Sequence, residues 1–332
     1  SPFCGNVTYG LSTTESLRRR GHAVHFIHFD TPAAPLGAPL GRAEGAGSPQ
    51  AVAVQAGEAL QEPEVTLPYL VKSQVYTIPS PGAQRELRES LERIRPDLVH
   101  ASLTLSPLDF RLPDLCQQLG LPLVATFHPA FDAGLRNLSA GTQQLTYQLY
   151  APSLARYDRV IVFSELQADV LERLGVRRER LAVIPNGVDT DLWAPAPKTP
   201  GPLLSDLRRR YAGRRVFLYM GRITTEKNLE ALLKAWRLVR PAGCVLVIVG
   251  DGPLRASLQN PGEPDVEWWG YEAGLERRIA LLQLAEVFLL PSLVEGLSLA
   301  LLEAMAAGAA CVATDAGADG EVLEGGAGIV IS

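Results

Sequence analysis

Two cations and two carboxylates in the second half of the chain are spaced for chemistry on an anion. An apolar, β-branched run at 216–220 leads into Gly221-Arg222-Ile223-Thr224-Thr225-Glu226-Lys227-Asn228. In a parallel sheet ligands collect at the carboxyl ends of strands, so Arg222 and Lys227 project to that side. Arginine gives a forked contact to phosphate oxygens and lysine adds a point charge, so the pair suits a diphosphate. Taken alone, the same pair reads equally well as solvated surface charge.

A second segment decides between these readings. Pro291-Ser292-Leu293-Val294-Glu295-Gly296-Leu297-Ser298-Leu299 follows another apolar run, and Glu303 lies further along. Gly296 lets a ligand approach the backbone, and the amides of Leu297, Ser298 and Leu299 open a helix whose unpaired start attracts anions. Glu295 stands before that helix and Glu303 a little over one turn inside it. Carboxylates repel phosphate, but they accept hydrogen bonds from hydroxyls, so they fit a sugar and a ribose on either side of one. The plainer account is an N-terminal glutamate on the helix dipole plus a surface glutamate. It leaves the strand-to-helix setting and the cation pair unexplained.

The elements that must hold these residues follow an α/β pattern, with short apolar runs alternating with longer amphipathic stretches. Strands are expected at 23–28, 98–100, 123–126, 159–163 and 181–184, then at 216–220, 244–249, 287–290 and 310–314. Leu87, Leu91 and Ile94 share one helix face, as do Leu166, Val170, Leu171 and Leu174; further helices are expected at 228–239 and 299–307. A length of 332 residues allows two domains. Ala-Pro-Ala-Pro-Lys-Thr-Pro-Gly-Pro after Trp193 reads as a stiff hinge, and the Ala/Gly/Pro-rich 31–63 stretch as a loop or insertion. A net charge of −5 with no basic stripe excludes a nucleic-acid binder. Cys4, Cys116, Cys244 and Cys311 are scattered singly, which points to a reducing cytoplasm rather than a disulfide framework. No apolar run reaches the roughly 18 residues of a membrane span. The chain opens Ser-Pro-Phe without a methionine and ends on a strand-like Gly328-Ile329-Val330-Ile331, so further segments are expected on both sides.

With these residues in view, the sequence resembles the retaining glycosyltransferases of family 4. The motifs are Arg20-Gly21-His22 with Val24, Ile184-Pro185-Asn186-Gly187-Val188-Asp189, Gly221-Arg222 with Glu226-Lys227, Gly250-Asp251-Gly252-Pro253, and Glu295 to Glu303-Ala304-Met305. The resemblance implies a GT-B fold, two Rossmann-like domains facing across a cleft. Residues 1–194 would form the acceptor side, 195–213 the hinge and 214–332 the nucleotide-sugar side. It also implies that Arg222 and Lys227 hold the donor diphosphate, Glu295 the donor sugar and Glu303 the ribose. Gly221, Gly296, Leu297, Ser298 and Leu299 would line the phosphates, and the backbone at Tyr271 would lie near the base. His128, in Thr126-Phe127-His128-Pro129, would touch the donor sugar; the alternative is a strand-end histidine with a structural partner. Many members carry a Gly-Gly loop facing the phosphates. Here Cys4-Gly5-Asn6-Val7 stands in its place, with Gly5 and Asn6 as the candidate contacts.

The implied reaction retains configuration, the departing diphosphate oxygen taking the acceptor's proton, with Arg222 and Lys227 in the role a metal plays elsewhere. No cofactor or metal is expected. The stretches 3–9, 73–79 and 101–107 carry a narrower resemblance to glycolipid-making members, which would imply UDP-galactose as donor, a membrane glycolipid such as monogalactosyldiacylglycerol as acceptor, and peripheral contact with the cytoplasmic face of a membrane. A soluble sugar or polysaccharide acceptor, or a nonhydrolysing UDP-sugar epimerase, is the alternative. A dinucleotide oxidoreductase is weaker, because Arg255 occupies the third glycine position after Gly250-Asp251-Gly252. A binding module without activity would not need all four charged residues. Asp315-Ala316-Gly317-Ala318-Asp319-Gly320 lacks ligands for a calcium loop and reads as a glycine-rich turn.

Overall fold

A computed structural model of the chain describes residues 5–29, 65–72, 76–103, 105–129 and 140–331. The 31–63 stretch and Cys4 lie outside the described residues. The chain divides into two compact units, Ser1–Leu123 and Val124–Ser332. In the first are α1 (Gly5–Arg19), β1 (Ile27–Phe29), β2 (Val65–Leu67), β3 (Tyr69–Lys72), β4 (Thr77–Pro79), α2 (Ala83–Ile94), β5 (Val99–Leu103) and α3 (Leu112–Leu119). Here β1 and β2 pair in parallel and β3 and β4 form an antiparallel pair. On α2, Leu87 and Leu91 are buried one turn apart, as their spacing requires.

The second unit starts with β6 (Leu123–Phe127), α4 (Ala140–Leu154), β7 (Arg159–Val162), α5 (Glu165–Arg173) and β8 (Leu181–Val183). There β6, β7 and β8 run parallel. It continues with α6 (Pro202–Arg210), β9 (Arg215–Met220), α7 (Leu229–Val239), β10 (Cys244–Val249), α8 (Arg255–Leu258) and β11 (Val266–Gly270). The last elements are α9 (Leu275–Leu284), β12 (Val287–Leu290), α10 (Leu299–Ala306), β13 (Ala310–Thr314), α11 (Asp319–Leu323) and β14 (Gly328–Ile331). These later strands form one parallel six-stranded sheet in the order β11-β10-β9-β12-β13-β14. That is the doubly wound order, and the chain reverses direction across the sheet between β9 and β12. Phe217 is opposite Val287 and Leu218 opposite Phe288, so the loops after β9 and β12 leave the sheet side by side.

Burial on both faces explains why β10 reads as an unbroken apolar run: all six residues of Cys-Val-Leu-Val-Ile-Val are buried. Val245, Val247 and Val249 face a core shared with α6, α9 and α10, while Cys244, Leu246 and Ile248 face one shared with α7. Each fully buried side chain of this kind contributes about 1.5–3 kcal/mol relative to exposure.

The structure corrects three expectations. Residues from Gly5 onward form the start of α1 rather than a loop, and the expected 23–28 strand is realised later, at Ile27–Phe29. The expected hinge contains α6: Pro202 at its first turn pre-sets the helical φ, and Leu204 and Leu207 bury with Trp193 and Tyr211 in the second sheet's core. Strand β11 was not expected, because Val266, Glu267, Trp268 and Trp269 are all half-buried and show no alternation. Cys116, Cys244 and Cys311 are buried and not joined in disulfides. No helix among the described residues is long and apolar enough to cross a membrane.

Candidate active site

The loop after β9 is built against the loop after β10, backbone on backbone. Gly221 N–H donates to Val249 O (3.0 Å) and Ile223 N–H to Asp251 O (3.0 Å). A Cβ on Gly250, whose φ is +145°, would lie 1.8 Å from Gly221 O, and one on Gly252 would lie 2.3 Å from Ile223 O. The glycines that suggested a dinucleotide fingerprint therefore support the Arg222 loop instead. Tyr219, fully buried, donates its hydroxyl to Arg222 O (2.6 Å) and would meet any Cβ on Gly221 at 2.8 Å.

Lys227 ends a short 3-10 turn and is held beside the β12 loop, where Leu293 N–H donates to Glu226 O (2.8 Å). The Lys227 ammonium forms an ion pair with Glu295 Oε1, and Ser292 donates its hydroxyl to the same oxygen (2.7 Å). Lys227 and Glu295 keep only 20% and 10% of their side-chain exposure, so this pair is shielded from the screening that weakens surface pairs. The two residues assigned from sequence to phosphate and to sugar thus meet directly.

Ser298 caps α10, its hydroxyl accepting from Leu301 N–H (3.3 Å). Its own amide, expected to be open to a phosphate, is already committed: it donates to Asp319 Oδ1 (2.8 Å). The amides of Leu297 and Leu299 have no acceptor among the described residues. Asn186 reaches the same loop, its Nδ2 donating to Leu297 O (3.1 Å). His128 follows β6 with its ring tilted on Phe163 (centroids 5.4 Å apart), and Phe163 packs against Leu297 and Ala318. A Cβ on Gly296 would sit 3.4 Å from His128 O, so His128 is brought to the Glu295 loop. Tyr271 follows β11, two strands from β9, and is 46% exposed. Gly5 and Asn6 open α1 in the first unit, and the side chain of Asn6 lies outside the described residues.

Three residues that hold the site were not singled out by their type or spacing: Asp319, Ser292 and Asn186. For Asp319 a signal existed, a carboxylate in a glycine-bearing turn after the strand next to β12. Burial raises the Asp319 carboxyl well above its ordinary range; the Glu295 charge adds to this, and the Ser298 N–H and the Lys227 charge oppose it.

Burial also raises the Glu303 carboxyl, to about 7, against the opposing charge of Arg278. Between the ordinary value of 4.5 and about 7, the folded chain keeps a proton that the unfolded chain has lost, so stability falls as pH rises through that window. Glu303→Gln escapes that loss. Its melting temperature is expected to match wild type near pH 4 and to exceed it increasingly up to about pH 8. A constant difference across thermal melts at these pH values would show that Glu303 ionises normally.

The doubly wound sheet, with Lys227 and Glu295 paired where the loops after β9 and β12 lie side by side, is that of a GT-B fold. Residues 5–192 match Glycosyltransferase Family 4 and residues 214–332 match Glycosyl transferases group 1. The chain belongs to glycosyltransferase family 4. Among its relatives are the UDP-Gal:alpha-D-GlcNAc-diphosphoundecaprenol alpha-1,3-galactosyltransferase of Escherichia coli, 31% identical over 48% of this chain and 40% of that protein. The GDP-mannose-dependent alpha-(1-6)-phosphatidylinositol dimannoside mannosyltransferase of Mycobacterium tuberculosis is 28% identical over 76% of this chain and 65% of that one. The chain spans about two fifths of the length of the first relatives it matches. In fold it is similar to a glycosyltransferase of Rickettsia africae ESF-5 (TM-score 0.69, 16% identity, all of this chain and 82% of that one). It is also similar to Anabaena HepE in complex with UDP (TM-score 0.60, 20% identity, 76% and 70% covered).

Proposed function

We propose that the chain carries the catalytic machinery of a retaining, metal-independent hexosyltransferase that uses a UDP-sugar. The carrying observation is the shielded Lys227–Glu295 pair, its Glu295 in the loop that leads to the amides of Leu297 and Leu299, which have no acceptor among the described residues. In this reading the diphosphate takes Lys227 from Glu295, with Arg222 as its second cation, and Glu295 turns to the hydroxyls of the transferred sugar. The bond from the sugar C1 to the phosphate oxygen breaks and one from C1 to the acceptor oxygen forms on the same face. The acceptor's proton leaves on the departing diphosphate. Arg222 and Lys227 stabilise the charge that develops there. His128 faces the donor sugar and Glu303 accepts from the ribose.

For the donor, UDP-galactose is supported by the Escherichia coli relative, whose name specifies UDP-Gal and a lipid diphosphate acceptor. For the acceptor, the stretches 3–9, 73–79 and 101–107 resemble cyanobacterial digalactosyldiacylglycerol synthase, which favours monogalactosyldiacylglycerol and peripheral work at a membrane surface. The mannosyltransferase relative keeps GDP-mannose as the competing donor. An assay of radiolabelled UDP- and GDP-sugars, with galactolipid vesicles, soluble sugars or no acceptor, tests all of this. Galactose transfer from UDP-galactose to the galactolipid, with an α-configured product, is expected. Conversion of the UDP-sugar in the tube without acceptor would identify an epimerase and overturn the transferase reading.

A further inference from the structure

The turn between β13 and α11 is packed against the loop that opens α10 at three places. Ala318 N–H donates to Gly296 O (2.8 Å). Gly317, at φ +59°, comes so near that a Cβ there would be 2.2 Å from Glu295 O. Asp319 Oδ1 accepts the Ser298 N–H (2.8 Å). That N–H belongs to the Leu297–Ser298 peptide, whose carbonyl accepts from Asn186 Nδ2 (3.1 Å). The peptide is therefore gripped at both ends, and the amides of Leu297 and Leu299 stand on either side of it.

Asp319 is completely buried, and its second oxygen, Oδ2, has no hydrogen-bond partner among the described residues. An acid left in that condition is costly to bury, so packing alone does not account for it. We propose that Asp319 is a positioning residue of the donor-phosphate site: with Asn186 it clamps the Leu297–Ser298 peptide, so that the flanking amides are aimed at the diphosphate. The proposal rests on the donor-site reading above. Fixed amides stabilise an anion more than amides that must reorient to meet it.

The clamp acts on the phosphate end of the ligand and leaves the base untouched, which separates it from a general structural role. Calorimetric titration of the full chain with UDP and with uridine is the test, alongside a thermal melt of each variant. In Asp319→Ala, UDP affinity is expected to fall about tenfold and uridine affinity less than about twofold. Asp319→Asn keeps an acceptor oxygen for Ser298 N–H and is expected to hold UDP within about threefold of wild type. UDP and uridine weakening in parallel, or unchanged UDP binding in Asp319→Ala, would overturn the clamp. Should the alanine variant fail to fold, a tenfold UDP loss in Asp319→Asn overturns it as well, since the acceptor is then not the operative feature. Lys227→Ala separates the donor site from the clamp. If it leaves UDP binding intact the donor-site reading fails, whereas a loss there with none in Asp319→Ala removes the clamp alone.

Discussion

Replacing Lys227 with alanine is expected to lower sugar transfer by about 10²–10³-fold, the range found when one donor to a developing oxyanion is removed. The size follows from where the ammonium sits. It is four-fifths shielded and pairs with Glu295, whose carboxylate has only Ser292 as its other hydrogen-bond partner among the described residues. Removing the cation strips the leaving diphosphate of a charge and also leaves a buried carboxylate without a counterion, so the melting temperature should drop too. The two consequences can be separated. Lys227→Ala combined with Glu295→Gln removes the stranded charge and should recover most of the melting temperature while activity stays low. Wild-type turnover in the single variant, measured with the same donor and acceptor, would sink the assignment of Lys227 to the leaving group.

Gly250→Ala should be the most damaging small substitution in the second sheet. The added methyl would overlap the Gly221 carbonyl at 1.8 Å, and the backbone φ of +145° is one that alanine rarely adopts. Neither side can yield cheaply, since Gly250 N–H is bound to Gly270 O and Gly221 N–H to Val249 O. A loss of about 3 kcal/mol or more is expected from combined overlap and backbone strain. In whatever fraction folds, the Arg222 loop must move, so donor affinity should fall with stability. Urea denaturation and UDP titration on the same sample check both. A midpoint equal to wild type would mean that the two loops are not in contact in solution.

The second sheet was legible because its strands are buried on both faces and its helices on one. The apolar runs at 244–249, 287–290 and 310–314 became β10, β12 and β13 with unchanged bounds. Where a strand is half-buried throughout, as β11 is, periodicity carries no information, and it was missed. The charged residues of the site could be read because they follow strand ends that sequence can locate. Their mutual arrangement could not. That Lys227 finds Glu295 depends on β9 lying beside β12, although the paired residues Phe217 and Val287, like Leu218 and Phe288, are distant in the chain. The same holds for Asp319, marked only by its glycine-bearing turn, and for Asn186, which carries no local mark; they reach the Leu297–Ser298 peptide from different elements. The amide of Ser298 shows the opposite error. A helix start looks open from sequence, and only the packed turn after β13 reveals which of its donors is already used.

The anchoring of α6 and Trp193 bears on how this chain can be taken apart and recombined. Trp193, Leu204, Leu207 and Tyr211 are buried in the core that also holds α9 and α10, and Gln283 Nε2 donates to Ala194 O (2.9 Å). A seam placed at residue 214, where the second family match begins, would cut these side chains away from the sheet they cover. A module exchanged between relatives with its core intact therefore starts upstream of Trp193. A chimera joined there carries its own covering side chains with it, and one joined at the later point must cover the same core with the other parent's residues.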